Sequence, residues 1–212
     1  MNADALPVGE RLQALLADAG EKPLEARQLA QFEAYLSLIL RWNARVNLTS
    51  IRDEEGILSR HFVESIVCAR AIPAGIASLL DFGSGAGFPG IPIALCRPEV
   101  SVTLAESQGK KAAFLQEAAR VLGIGFKVHS RRAEELATQF DCVTLRAVDR
   151  MVQAVQAGSK LVRPGGWLVL MTTLSTLETL QAAAGSGFCW HTVVPSGGAE
   201  RELLAVGQRS VS

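Results

Sequence analysis

Long apolar runs are missing from this chain. The strongest, Tyr35 to Leu40, is broken by Ser37 and falls far short of the roughly 20 residues that a membrane span needs. The first residues, Met1 to Leu12, show no basic segment leading into an apolar one, so no secretory signal is expected. Cysteine is scarce: Cys68, Cys96, Cys142 and Cys189 are widely spaced, form no C-x-x-C pair and have no clustered histidines. That spacing speaks against a structural metal and against a disulfide framework. An excess of either charge is lacking as well. Lys+Arg and Asp+Glu number 21 each, so affinity for a polyanion must come from local patches. The expectation is a reduced, soluble, cytoplasmic monomer with no metal and no membrane partner.

What is present is an ordinary globular composition, 49% apolar and 20% charged over 212 residues. At that length folding hides roughly 70% of the unfolded surface, enough for one α/β domain with a small helical extension. The basic residues are 16 Arg and 5 Lys. Arginine suits bidentate phosphate contacts, and a GC-rich genome gives the same bias. No internal repeat or low-complexity segment occurs.

Residues 1–75 read as a helical section. Leu12, Leu15, Leu16 and Ala19 share one apolar face that ends at Gly20 and Pro23, and Leu29, Phe32, Leu36, Ile39 and Leu40 repeat at helical spacing towards Trp42. A turn-rich stretch, Asn47 to Asp53, follows. Ser59 is the expected cap of a further helix carrying Phe62, Ile66 and Val67. From residue 76 to 212 the texture is that of parallel β-α-β units. Strands are expected at about 78–82, 101–105, 125–129, 141–145 and 166–171, and helices at about 88–96, 109–122, 149–162 and 174–184. Ser107 is read as the cap of the second of these helices and Gly123 as its stop. Phe188–Val194 and Glu202–Gly207, joined by Pro195 to Ala199, leave no room for a crossover helix and must be antiparallel. The two sections are read as one compact unit.

The most informative residues run from Leu79 to Ile91. An apolar strand enters glycines at alternate positions, Gly83, Gly85 and Gly87, and then a helix. Glycine lets the main chain approach a ligand closely, and the helix start offers N–H groups and a positive dipole end. Gly85-x-Gly87-x-x-Gly90 matches a dinucleotide fingerprint. Asp81-x-Gly83-x-Gly85-x-Gly87 matches the loop that holds S-adenosylmethionine. Either cofactor needs an acid after the second strand for its ribose hydroxyls, and Glu106 supplies it. Three features favour S-adenosylmethionine over a dinucleotide or a ligand-free turn. Asp81 can meet a methionine ammonium and would repel a pyrophosphate. A reversed final strand is the methyltransferase variation on the Rossmann sheet. No second catalytic domain is expected. The fold class is therefore α/β, a Rossmann-like class I S-adenosylmethionine-dependent methyltransferase with a seven-stranded, mostly parallel sheet whose last strand is antiparallel.

After the third strand, Ala133 and Glu134 border the expected adenine site, where Glu134 or nearby main chain receives the exocyclic amine. The sequence after the fourth strand, Thr144 to Val148, has no Asn-Pro-Pro-Tyr-like signature of amino-group methylation. Cys142 lies inside a strand, where a thiolate nucleophile is not expected. An acceptor that needs neither amide polarisation nor covalent attack remains, and guanine N7 is one, its lone pair being already free. Catalysis is then mostly in-line positioning. Arg146, a charge at the C-terminal end of an apolar strand, is the residue expected nearest the reaction, bonding a guanine edge, a cofactor group or an RNA phosphate, unless it merely pairs with Asp149. His61, with Glu64 three residues on, is a candidate for positioning the substrate. Lys110, Lys111, Arg131, Arg132, Arg41, Arg45, Arg52 and Arg60 are candidates to rim a phosphate-binding face. Residues 97–163 hold 11 Lys/Arg against 7 Asp/Glu, and residues 1–40 hold 3 against 6.

At these residues the chain resembles the ribosomal RNA small subunit methyltransferase G family, also called the glucose-inhibited division protein B family, from about Leu12 to Val206. The blocks are Trp42-Asn43, Asn47 to Asp53, His61-x-x-Glu64-Ser65, Asp81 to Pro92, Glu106-Ser107 with Lys110, Arg146-Ala147 and Glu200-Arg201. The resemblance implies S-adenosylmethionine-dependent methylation of N7 of one guanine, the guanine-527-type position, of 16S rRNA in the small ribosomal subunit. It also implies cofactor contacts at Gly83, Phe88, Ala133, Glu134 and Arg146. Phe88 enters on that ground alone. Two departures stand out: Glu64 where the family usually has Asp, and Met171-Thr172-Thr173 where it usually has Lys-Gly. The rival readings are a small-molecule N- or O-methyltransferase on the same fold and a ribosome-binding module with weakened catalysis.

Overall fold

A computed structural model describes residues 6–193 and 202–211. The helical section comprises α1 (Val8–Asp18), α2 (Ala26–Asn43), the single turn α3 (Glu54–Gly56), a π-helical segment (Ile57–Val63) and α4 (Glu64–Ala71). Helix α2 opens with a capping box between Glu25 and Gln28. The last three pieces run end to end. Their start is capped by Asp53, whose carboxylate accepts from the Gly56 N–H at 2.7 Å. Ser59 is therefore not a cap; it lies inside the helical run and its hydroxyl donates to the Glu55 carbonyl.

The sheet section alternates β1 (Ser78–Phe82), α5 (Gly90–Cys96), β2 (Ser101–Ala105), α6 (Gly109–Leu122), β3 (Lys127–His129), β4 (Phe140–Arg146), α7 (Met151–Leu161), β5 (Val162–Thr173), α8 (Leu174–Ala184), β6 (Phe188–Val193) and β7 (Glu202–Arg209). Sheet order is β3-β2-β1-β4-β5-β7-β6. Strands β1 to β5 pair in parallel, and β7 runs antiparallel to both β5 and β6. The reversed strand is thus present, inserted between β5 and β6. The connection Pro195 to Ala199 lies outside the described residues. Gly123, at φ +62°, ends α6 as expected. Ser107 does not cap that helix: the residue before it is Gln108, whose N–H donates to the Glu106 carboxylate at 2.7 Å.

Alternation along the buried strands sends neighbouring side chains to opposite faces. Leu79, Leu104 and Val169 join one apolar cluster with Leu12, Phe32, Tyr35, Ile39, Phe62 and Ile66 of the helical section and Phe114 of α6. Leu80, Val143, Leu145 and Leu168 join a second with Val155 of α7 and Leu180 of α8. Strand order reverses between β1 and β4. The crevice beyond the C-terminal ends of these strands is where ligands bind in open α/β sheets.

Candidate functional site

The loop leaving β1 is held from several sides. The Gly83 and Ser84 N–H groups donate to the Ala105 carbonyl at 3.0 Å, and the Ser84 hydroxyl donates to the Asp81 carbonyl at 3.0 Å. From α2, the fully buried Tyr35 hydroxyl donates to the Ala86 carbonyl at 2.5 Å. Gly87 sits at φ +95°, and a Cβ there would lie 2.5 Å from Ile91 and 2.8 Å from the Tyr35 hydroxyl. A side chain at Gly90 would collide with Leu104 and come within 2.7 Å of an Asp81 carboxylate oxygen.

Asp81 does not face the crevice. It is 1% exposed; one carboxylate oxygen accepts from the Gly90 N–H at 3.1 Å and the other from the Thr144 hydroxyl at 2.9 Å. Burial pushes its pKa up to about 6 against the pull of these donors and of Arg146. It anchors the loop from behind, and the expected direct meeting with a ligand ammonium is replaced by that role. Glu106 does reach the crevice. Its two oxygens accept from the Gly85 N–H at 2.9 Å and the Gln108 N–H at 2.7 Å, so one carboxylate ties the first loop to the end of β2.

A cleft of about 670 Å³ opens here, and Gly83, Gly85, Phe88, Glu106, Ala133, Glu134, His61 and Arg146 all line it. Gly87, expected to bind cofactor, does not; it is buried against Ile91 and Tyr35, where it lets the loop turn. Of the two basic pairs, Lys111, Arg131 and Arg132 line the same cleft and Lys110 does not. Arg41 instead pairs with Glu117 at 3.0 Å, and Arg52 donates to Asn47 and the Asn43 carbonyl. His61 stacks on Phe88, with ring centroids 4.5 Å apart and 24° between planes, and its Nε2 lies 2.7 Å from the Thr49 hydroxyl.

A second cleft, about 790 Å³, adjoins the first. His61, Arg146, Ala147 and Arg150 line both; Arg60, Glu64, Met171, Thr172, Thr173 and Thr176 line the second. Arg146 is engaged on that side. Its guanidinium bonds the Glu64 carboxylate and donates to the Arg60 carbonyl at 2.6 Å and the Ser65 hydroxyl at 3.5 Å. Its ion-pair partner is Glu64, not Asp149. Where the lysine was missed in the sequence, Thr172, Thr173 and Thr176 form a hydroxyl cluster with oxygens 2.7 to 3.0 Å apart.

The chain after β4 carries a feature that sequence reasoning missed. Ala147 (φ +48°) and Arg150 (φ +54°) both adopt the left-handed region, which residues with a Cβ seldom occupy. Such strain clusters at ligand sites, and no residue-type signal announces it. The Asn47 to Asp53 stretch also contributes more than a turn, since Leu48, Thr49 and Ser50 line the first cleft. Among the described residues no group of three or more His, Cys, Asp or Glu is placed to hold a metal, and no helix is long and apolar enough to cross a membrane. Glu200 and Arg201 lie outside the described residues.

The fold matches solved methyltransferases. The N-methyltransferase NodS from Bradyrhizobium japonicum, in complex with S-adenosyl-l-homocysteine, aligns with a TM-score of 0.59 at 17% identity, over 83% of this chain and 98% of that one. Sequence relatives are nearer. The ribosomal RNA small subunit methyltransferase G of Xanthomonas axonopodis pv. citri is 40% identical over 198 residues, 88% of this chain and 92% of that protein. That of Stenotrophomonas maltophilia is 39% identical over 215 residues, 97% of this chain and 99% of that protein. The family model described as rRNA small subunit methyltransferase G matches residues 28–201. S-adenosylmethionine is the cofactor that goes with this family and fold, and the carboxylate-braced glycine loop suits it. By these matches the chain belongs to the rRNA small subunit methyltransferase G family.

Proposed function

We propose that this protein transfers a methyl group from S-adenosylmethionine to N7 of a single guanine of 16S rRNA, the guanine-527-type position, in the small ribosomal subunit. The observation that carries the reading is the junction of the two clefts, lined on both sides by Ser50, His61, Arg146, Ala147, Arg150 and Gln153. None of these is a thiol or a carboxylate. Cys142 is fully buried and burial holds its thiol protonated. An acceptor nitrogen with a free lone pair needs only to be held in line with the methyl.

In this reading Glu106 accepts the ribose hydroxyls, Gly83 and Gly85 let main chain lie against the cofactor, and Phe88 packs on it. Ala133 and Glu134 receive the adenine. When bound, the cofactor supplies an electrophilic methyl on sulfonium. Arg146 donates to the guanine edge, and His61, fixed by Thr49 and Phe88, positions the base. Gly87 acts only through the shape of the loop. Lys111, Arg131 and Arg132 meet RNA phosphates. Residues 1–75 and 76–212 act together as one cytoplasmic monomer, without metal or membrane partner.

Two measurements test this. Labelled methyl donor should mark small ribosomal subunits and leave a metabolite pool unlabelled; label confined to small molecules defeats the RNA reading. Mass spectrometry of 16S rRNA from a deletion strain should show loss of one 7-methylguanosine. Unchanged modification defeats the reading and favours a ribosome-binding role where small molecules are unlabelled as well.

A further inference from the structure

An acceptor that offers N7 to the methyl donor has the rest of its base fixed in direction. Around guanine, the O6 acceptor stands beside N7, followed by the N1–H donor and then the N2 amine on the opposite edge. The linings of the two clefts follow the same order. Glu106 and Gly85 line the first cleft alone, Arg146 and His61 line both, and Arg60 and Glu64 line the second alone. A base with N7 at the junction therefore brings O6 to Arg146 and its N1–H and N2 groups to the second-cleft wall, where Glu64 stands. The two side chains are 13% and 12% exposed, so their charges face little water and read a partner strongly.

We propose that Glu64 is the residue that restricts the acceptor to guanine. Its carboxylate accepts from N1–H and the N2 amine while Arg146 donates to O6. A carboxylate has about four acceptor sites, so it can serve several donors at once. Adenine fails at both points: its N6 amine faces the guanidinium and its N1 lone pair faces the carboxylate. Glu64 has no proton to abstract here, because N7 carries none. The bond to Arg146 also restricts the orientation of the guanidinium. The proposal rests on the guanine-N7 reading and deepens it.

Small subunits assembled with a synthetic rRNA segment carrying guanosine or inosine at the target provide the test, because inosine keeps N7, O6 and N1–H and lacks only the N2 amine. The full-length wild-type protein is expected to favour guanosine about 5- to 100-fold in kcat/KM, the range for one good base contact. Glu64→Gln should lower transfer to guanosine and bring that ratio close to one, Glu64→Asp should restore part of it, and affinity for S-adenosylhomocysteine should change less than about twofold in both. Equal use of guanosine and inosine by the wild-type protein overturns the proposal without recourse to any variant. So does a Glu64→Gln protein that loses activity on both particles equally, since Glu64 then serves only to hold Arg146. A wild-type protein that methylates neither particle overturns the guanine-N7 reading itself, and this one with it.

Discussion

Asp81 offers a sharp test of how the glycine loop is held. Its carboxylate is 1% exposed and raised by burial from 3.8 to about 6. Below pH 3.8 both the folded and unfolded chains carry the proton. Between there and about pH 6 the folded chain keeps a proton that the unfolded chain has released, so stability falls as pH rises through that window. Above it both are ionised and the whole penalty remains, about 3 kcal/mol at 1.4 kcal/mol per pH unit. Asn at this position has the shape of the neutral acid. Its oxygen can accept the Gly90 N–H and its amide can donate to the Thr144 hydroxyl, which has the Leu80 carbonyl 3.5 Å away as an alternative acceptor. Asp81→Asn is thus expected to match the wild-type stability at pH 4 and exceed it by about 3 kcal/mol at pH 7.5. Urea unfolding of both proteins across that range reads the difference directly. Parallel stability curves, or a variant weaker at every pH, would refute the reasoning and mean that the ionised carboxylate is held by its donors more firmly than burial opposes it.

Four further outcomes follow from the same geometry. Gly87→Ala places a methyl 2.5 Å from Ile91 in a left-handed residue and should lower stability by about 2–4 kcal/mol in thermal melts; a loss under about 1 kcal/mol contradicts the loop geometry. Tyr35→Phe keeps the ring packing and deprives the buried Ala86 carbonyl of its donor, at about 1–3 kcal/mol, with weaker S-adenosylhomocysteine binding by calorimetry. Arg146→Ala removes the guanidinium that Glu64 faces and should lower stability by about 2 kcal/mol as well as methyl transfer to the small subunit, and the double change Arg146→Met with Glu64→Gln should recover stability but not transfer. Iodoacetamide at pH 8 should label exposed Cys189 and spare Cys142 and Cys68, whose thiol burial pushes up to about 12; native-state labelling of Cys142, read by mass spectrometry, would count against its burial.

Much of the fold was legible because a parallel sheet covered on both faces writes its strands as short apolar runs between glycines and charges. Leu79 to Phe82 and Val102 to Ala105 could hardly be anything else. The failures arose where two local signals compete. Ser59 looks like a cap, but Asp53 starts the helix earlier and a π-helical stretch carries it through to α4. Helix α7 gives way to β5 at Val162, four residues before the strand was expected. Residues 163–165 fall between the expected helix and strand, whereas Gly165, at φ +74°, sits with Gly166 inside the strand, next to the register shift between Phe140 and Cys142. A glycine pair marks a strand irregularity as readily as a loop.

The site divides along a similar line. Residues whose place depends on the main chain, such as Gly83 and Gly85 at φ +73° and +57° in the cleft lining, announce themselves by spacing, because glycine tolerates that conformation at no cost. Residues whose role depends on partners do not. Arg146 meets Glu64 across 82 positions of sequence, and Tyr35 meets the glycine loop across 51. Nothing local in α2 or α4 points to either contact. Asp81 shows the converse: its place in the motif suggests a ligand contact, and the fold spends both of its oxygens on Gly90 and Thr144. A carboxylate committed in this way can influence the crevice only through the loop it anchors. The N-terminal helices act on the same loop from the other side through Tyr35. The first cleft is therefore shaped by both sections at once, and on the proposed reading a substitution deep in α2 should be felt in cofactor affinity before it is felt at the junction with the second cleft.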